Sequence, residues 1–271
     1  MVAAFAYDRG FSVPMATTSS DVRLRDKRLL EEYEKYPGAY VPEPHKGVSL
    51  TPVIALDFAS LYPSIIMAHN LSPECVVEDQ DIASVDKGSA DSLYDSVTLR
   101  TGKTVQCNRV TVDFEKGFKQ ASMTAFVLAR EEGVGVYPFI LQTLFNMRAQ
   151  VKKELEAIDD SIKHLEAMRT DQETNAQEIK DLLYQYSLVD AKQKAIKVFM
   201  NTFYGETGNQ QSSLFDVVIS GGTTSYGQKY IKQVHKVIGE QDCEVVAGDT
   251  DSIYFRPRAS HYSLCPTIGC T

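Results

Sequence analysis

Tryptophan is missing from the 271 residues altogether, and cysteine is sparse. The five cysteines, Cys75, Cys107, Cys243, Cys265 and Cys270, contain no CxxC pair and are odd in number. That pattern excludes a zinc-ribbon spacing and a fully paired disulfide framework, and points to thiols kept in a reducing compartment. No apolar run reaches the ~20 residues that a membrane-spanning helix needs. The apolar opening Met1–Tyr7 has no basic segment before it and no clear cleavage site, so it does not read as a signal peptide. A soluble, intracellular protein is expected. Positive charge is also short, with 28 Lys and Arg against 36 Asp and Glu and a net charge of −8. A nucleic-acid binder is usually basic, so the total argues mildly against one and the distribution along the chain has to decide.

What is present suffices for a substantial fold. With 43% hydrophobic residues the chain can bury the core of one large or two modest domains. After a mixed start, with a charged stretch from Asp21 to Lys35 and a turn-rich YPGAYVPEPHKG, the character changes at Thr51. TPVIALDF is an apolar, β-branched run closing on a carboxylate and reads as a buried strand. SLYPSIIMAHN then reads as helix. SVTLRTGKTVQCNRVTVDF alternates about a Thr-Gly-Lys turn and reads as a surface hairpin. From Phe139 to Arg169 and again from Ala176 to Tyr204 there is helical periodicity with a single Gly or Pro in neither interior, interrupted by TDQET. Two helices of this length would each reach ~45 Å, and the short polar loop forces them antiparallel. A further helix is expected around Thr223 to Ile238. CEVVAGDTDSIYF closes the pattern as a strand hairpin with carboxylates at its turn. The fold class expected is therefore α/β in the α+β sense: an antiparallel sheet carrying aspartates, plus a long antiparallel helical hairpin.

The carboxylates carry the first chemical signal. Asp57 ends one expected strand, and Asp249 and Asp251 stand at the tip of another pair. On extended chain, residues i and i+2 share a face, and strands that neighbour one another in a sheet would bring the three acids together. Oxygen-only ligands suit Mg²⁺, which keeps waters and substrate phosphates as its remaining ligands. Two ions sharing such carboxylates can stabilise the attacking and leaving oxygens of a phosphoryl displacement. GDTDS taken alone reads more readily as a solvated surface turn than as a metal site; an acid at the end of a buried strand demands a partner or a metal.

Positive charge gathers at one place. Gln142–Lys153 holds three basic residues and no acid, and Ala191–Gly205 does the same, whereas Glu154–Asp190 between them holds ten acids against three bases. The acidic excess thus belongs to the distal hairpin and its base is locally basic. Arg148 lies 24 residues before position 172 and Lys197 lies 25 after it, so an antiparallel hairpin would bring them together. Arg148 and Lys152 share a face at i and i+4, as do Gln193, Lys197 and Asn201, with Tyr204 next. A polyphosphate needs several cations converging from one side. Salt-bridged helix surface is the ordinary alternative.

DFASLYPS at 57–64, KVFMNTFYG at 197–205 and GDTDS at 248–252 resemble motifs A, B and C of the family B DNA polymerases, in the right order. The resemblance covers roughly Tyr36 to Phe255. It implies a palm interrupted by a fingers hairpin, with 1–138 an N-terminal segment and first part of the palm, 139–204 the fingers, and 205–271 the second part of the palm, ending before a thumb. It implies Asp57, Asp249 and Asp251 as catalytic acids. Asp57, Asp251 and the carbonyl of Phe58 become ligands of two Mg²⁺ ions. Ser60 and Leu61 amides, Tyr62 beneath the sugar, Arg148, Lys152, Lys197 and Asn201 would hold the incoming nucleotide. Tyr36 and Gly38 of a YxG(G/A)-like element, Tyr204, Gly205 and Thr250 would contact DNA. Cellular members usually carry Tyr before the motif C glycine; Ala247 stands here, as in some phage-type members. The expected activity is primer extension on template DNA from deoxynucleoside triphosphates, with a processivity factor as a candidate further partner and the nucleus or a viral replication site as location. A large DNA virus is the expected source. No exonuclease acids, post-motif C lysines or thumb are visible, so a fragment that is weak or inactive alone is expected. A non-catalytic palm acting as a scaffold, or another palm nucleotidyltransferase such as a reverse transcriptase, are the competing readings. The intact acids disfavour the first, and the YG-containing helix with its long hairpin disfavours the second. His69 and His164 read as surface or satisfied polar residues.

Overall fold

The structure is a computed structural model that describes residues 32, 36, 38–88, 94–116, 119–167, 172–212 and 214–257. Apart from Glu32, the charged stretch 21–35 lies outside them, as does the tail after Pro257. In chain order the elements are β1 (Ile54–Asp57), α1 (Leu61–Ala68), β2 (Val76–Val77), β3 (Ile82–Asp86), β4 (Asp95–Leu99), β5 (Thr104–Lys116), β6 (Lys119–Leu128), α2 (Val136–Ala167), α3 (Gln172–Gly208), α4 (Val217–Glu240), β7 (Cys243–Asp249) and β8 (Ser252–Pro257). The fold is mixed α and β, as its sequence implies, with every described strand pair antiparallel.

Two sheets organise it. One has the order β1-β8-β7 and the other β2-β6-β5-β4-β3. The long strand β5 is the centre of the second sheet, and its side chains alternate as a pleated strand must: Val110, Val112 and Phe114 are buried on one face. Against that face lies α4. Its second turn looks unsuited to a helix, SGGTT at 220–224, yet these residues are buried because the helix runs close to β5. A methyl added at Gly222 would lie 2.6 Å from Val110 Cγ1. Val110 is fully buried and has one short, stiff side chain, so it cannot swing aside. Gly222→Ala is therefore expected to destabilise the fold by ~1–2 kcal/mol, although Ala normally outranks Gly in a helix by ~1 kcal/mol. A lowered urea midpoint at unchanged slope would register it.

The helical hairpin is longer than its periodicity suggested, with 32 residues in α2 and 37 in α3. Pro138 falls within the first turn of α2, where a missing N–H is no loss. The second helix resumes at Gln172, inside the TDQET interruption, so the connection lies a few residues earlier than the composition indicates. At the base the hairpin is tied into the main core through Ile140, Leu141, Ile196, Met200 and Phe203. A second, smaller core joins α4 (Ile231, Ile238) to the first sheet (Cys243, Ile253, Phe255).

Three expectations need correcting. TPVIALDF does form a strand, but among the described residues β1 is an edge of its sheet, with Ala55, Leu56 and Asp57 exposed. A short apolar run cannot distinguish an edge from a centre, and with β1 exposed no burial of the strand forces a ligand on Asp57. The alternating segment 96–114 is not a peripheral hairpin: its turn is where expected, but Val97, Val105 and Cys107 sit in a core and β5 runs on as the spine of the larger sheet. The helix expected from Thr223 begins at Val217, because Asp216 caps it by accepting hydrogen bonds from the Val218 and Ile219 amides.

Candidate active site

The site is assembled by strand register. Ser252 on β8 pairs with Asp57 on one side and with Asp249 on the other. Residues directly opposite one another in antiparallel strands face the same way, so the two aspartates flank Ser252 on a common face. Two strand spacings separate them at the backbone, ~10 Å. Asp251 belongs to the tight turn. The Phe58 N–H donates to its backbone carbonyl at 2.8 Å, which fastens the end of β1 to the turn. Thr250 takes the left-handed conformation, φ 50°, and its hydroxyl donates to the Asp249 carboxylate at 3.0 Å. A bulge between Val245 and Ala247 shifts the β7 register just ahead of this turn; such bulges re-aim side chains near sites.

Electrostatics show what these residues share. Burial pushes the Asp251 carboxyl above the ordinary carboxylate range, and the charges of Asp57 and then Asp249 push it further, while the Lys197 ammonium pulls it back. One carboxyl thus feels both of the other aspartates and the base of the helical hairpin. Three like charges so arranged are short of positive charge. Among the described residues no three His, Cys, Asp or Glu side chains are gathered into a ready-made metal cage. The arrangement fits instead a hard cation bound through one or two carboxylates and completed by substrate phosphates, the usual habit of Mg²⁺. Asp57 and Asp251, tied together through Phe58, are the pair suited to it, with Asp249 farther off.

Beside the acids, α1 begins at Leu61. Ser60 precedes it in a left-handed conformation, and the helix has neither a side-chain cap nor an acid in its first turn. The Ser60 and Leu61 amides stand at this uncapped end, which is the kind of place that receives a phosphate. Tyr62 is half-buried, its ring 4.4 Å from that of Tyr204 and tilted by 45°. Burial raises the pKa of the Tyr62 phenol, and Asp251, Tyr36 and Asp249 add to the rise, so this ring borders the acids. Tyr204 is hydrogen-bonded to Tyr36, which is itself only 6% exposed. Tyr36 therefore supports Tyr204 from the core. Gly38 lies on the surface, its carbonyl accepting from Gln228 Nε2 at 2.7 Å, and Gly205 is exposed next to Tyr204.

Along the hairpin, Lys152, Lys197 and Asn201 are exposed and Arg148 is half-exposed. Arg148 Nε donates to Gln193 Oε1 at 3.3 Å. The partner across the hairpin is thus Gln193, one turn before Lys197, since the connection is displaced toward earlier residues. Among the described residues Arg148, Lys152 and Lys197 have no acidic ion-pair partner, whereas neighbouring Lys194 is taken up by Asp190 at 2.6 Å. The first three keep their charge available. His69 is satisfied: Nδ1 and Nε2 reach Asn108 and Tyr230, and its ring stacks on Tyr226 at 3.6 Å. Asn70, Ser72 and Glu74, which hold the start of α2, were not singled out from the sequence. Their signal was a polar run, NLSPE, lodged between two apolar segments just where a helix would later dock.

A carboxylate-bearing strand hairpin, an uncapped helix end and the basic base of a helical hairpin make up the candidate site, and the comparisons with known proteins say which family carries it. The sequence matches DNA polymerase family B over residues 6–270. DNA polymerase beta of African swine fever virus is 36% identical over 238 residues, covering 86% of this chain and 18% of that protein. DNA polymerase of Paramecium bursaria Chlorella virus NY2A is 34% identical over 236 residues, covering 86% and 21%. The structure of the family B DNA polymerase from the hyperthermophilic archaeon Pyrobaculum calidifontis superposes with a TM-score of 0.51 at 23% identity, over 96% of this chain and 26% of that one, a likeness of fold. The chain belongs to DNA polymerase family B. It spans about a fifth of the length of the viral relatives.

Proposed function

We propose that a polymerase containing this chain carries out template-directed DNA synthesis, and that these residues supply its palm and fingers. The observation that carries the reading is the strand register that sets Asp57 and Asp249 on either side of Ser252, with Asp251 fastened to the end of β1 through the Phe58 amide. Residues 54–57 and 243–257 with α1 and α4 form the palm, and the α2–α3 hairpin forms the fingers.

The incoming deoxynucleoside triphosphate lies between the two. Arg148, Lys152 and Lys197 draw its phosphates to the hairpin base, and Asn201 adds a neutral donor. The Ser60 and Leu61 amides receive phosphate oxygens from the palm side. The Tyr62 ring lies flat beneath the sugar and leaves no space for a 2′-hydroxyl. Tyr204 and Gly205 border the new base pair, and Thr250 and Gly38 meet the DNA strands, contacts that follow duplex shape rather than sequence. Asp57 and Asp251, with the Phe58 carbonyl, would hold two Mg²⁺ ions; bound there, such ions stabilise the attacking primer 3′-hydroxyl and the leaving pyrophosphate oxygen. Asp249 sustains the negative field from β7, two strand spacings from Asp57. Partners are then primer–template DNA and deoxynucleotides, with a processivity factor a further candidate, at a nuclear or viral replication site. Among the described residues no helix is long and apolar enough to cross a membrane.

The experiment is nucleotide kinetics on Lys197→Ala. Loss of one charge-assisted phosphate contact, ~1.5–3 kcal/mol, should raise the deoxynucleotide KM by ~10–100-fold with primer–template affinity little changed. An unaltered KM would remove Lys197 from the nucleotide grip.

A further inference from the structure

Between α1, which carries Tyr62, and α2, which carries Arg148 and Lys152, runs the segment Asn70–Cys75. Three of its side chains converge on the first turn of α2. Asn70, fully buried, spans the junction: its Nδ2 donates to the Leu128 carbonyl at 2.9 Å and the Gly133 carbonyl at 2.8 Å, while its Oδ1 accepts from the Gly135 amide at 2.8 Å. Ser72, also fully buried, accepts from the Tyr137 amide at 3.2 Å and donates to Glu74 at 2.8 Å. The Glu74 carboxylate accepts from the Val136 amide. Three successive backbone amides entering α2, at 135, 136 and 137, are thus each held by a different side chain of one six-residue segment. These amides are among the groups a helix leaves unpaired at its start, and a carboxylate there is favoured by the helix dipole. The junction is also close-packed: a methyl at Gly135 would fall 2.6 Å from Ser72 Cβ. Arg130 closes the other side by donating to the Met67 carbonyl at 2.9 Å.

We propose that Asn70, Ser72 and Glu74 are positioning residues that lock the origin of α2 to α1, so that the phosphate-gripping side chains keep a fixed reach to the aspartate turn. The inference rests on the nucleotide role given to Arg148 and Lys152 above. The lever is long. Arg148 stands twelve residues beyond Val136, ~18 Å along the axis, so a tilt of only ~10° at the start of the helix displaces it by ~3 Å. That displacement exceeds what a hydrogen bond to a phosphate oxygen tolerates. Glu74 itself is on the surface and touches no part of the site described above, so its effect has to travel through the helix.

The test compares Glu74→Ala with Glu74→Gln, which keeps an oxygen acceptor for the Val136 amide. Hydrogen exchange of the 271-residue chain is expected to show the amides at the start of α2 exchanging at least ~10-fold faster in Glu74→Ala and near the parental rate in Glu74→Gln. In the intact polymerase, Glu74→Ala should raise the deoxynucleotide KM by ~5–20-fold, with kcat at saturation and primer–template affinity within about threefold, and Glu74→Gln should restore most of the loss. Unchanged exchange in Glu74→Ala overturns the lock. Faster exchange with an unaltered KM overturns the coupling to nucleotide. A uniform fall in kcat, nucleotide affinity and DNA affinity that Gln does not rescue would mean a structural role only and also overturns it. Parental polymerase with no extension activity would instead fail the functional reading, and the exchange arm would still judge the lock.

Discussion

Asp57→Ala and Asp251→Ala, made singly in the intact polymerase, should each lower primer extension by at least ~10³-fold, a loss of ~4 kcal/mol in transition-state stabilisation. The fold should survive both. Asp57 is exposed at the end of an edge strand, so its removal leaves no cavity and no orphaned partner. Asp251 opposes the native state: burial and the neighbouring aspartates hold its pKa above the ordinary value, so its ionised form at neutral pH is less comfortable folded than unfolded. A group of this kind adds stability as pH falls through its folded pKa and withdraws it as pH rises. Asp251→Asn is accordingly expected to melt at an equal or slightly higher temperature while being inactive. Stability lost in step with activity would assign these acids to the fold and not to the chemistry.

The second large effect concerns the sugar. Tyr62 is fixed from two sides, by its place at the start of α1 and by the Tyr204 ring 4.4 Å away. Tyr204 is in turn held by buried Tyr36. A ring so braced cannot retreat from an extra oxygen. Tyr62→Ala opens that space, and the ratio of kcat/KM for deoxynucleotides to that for ribonucleotides should fall by ~10²–10³-fold, the equivalent of ~2.7–4 kcal/mol of discrimination. Deoxynucleotide incorporation should drop far less. Selectivity that persists in Tyr62→Ala would place the sugar gate on another residue.

Much of this was legible in the chain. The hairpin of β7 and β8, the two long helices and the segregation of charge along them are local patterns, and local patterns survive into structure. The three motifs marked the residues that the fold brings together around Asp251. What escaped was whatever depends on a distant neighbour. The apolar run before Asp57 read as buried because hydrophobicity reports a strand's composition and not its place in a sheet. The start of α4 was hidden by Gly221 and Gly222, poor helix formers that are there to let α4 approach β5. Strand β5 looked peripheral because α4, which packs on its buried face, lies far along the chain. Tyr36 was expected at the DNA; that it is buried and hydrogen-bonded to Tyr204 depends on a residue far along the chain. The register across the hairpin missed by about a turn, since a polar interruption marks a loop only to within a few residues. Asn70, whose buried amide serves three backbone partners, shows in the sequence only as the first residue of NLSPE, which does not say which backbone groups it will meet.

The account stands on Asp57 and Asp251 holding divalent ions in concert with a nucleotide. The most direct measurement is titration of Mn²⁺, followed by its electron paramagnetic resonance signal, into the intact polymerase with primer–template and a non-hydrolysable deoxynucleotide. The parental protein should bind two ions, and Asp57→Ala and Asp251→Asn should each lose binding of at least one by more than ~10-fold. Two-ion binding of parental strength in the double variant would contradict the account.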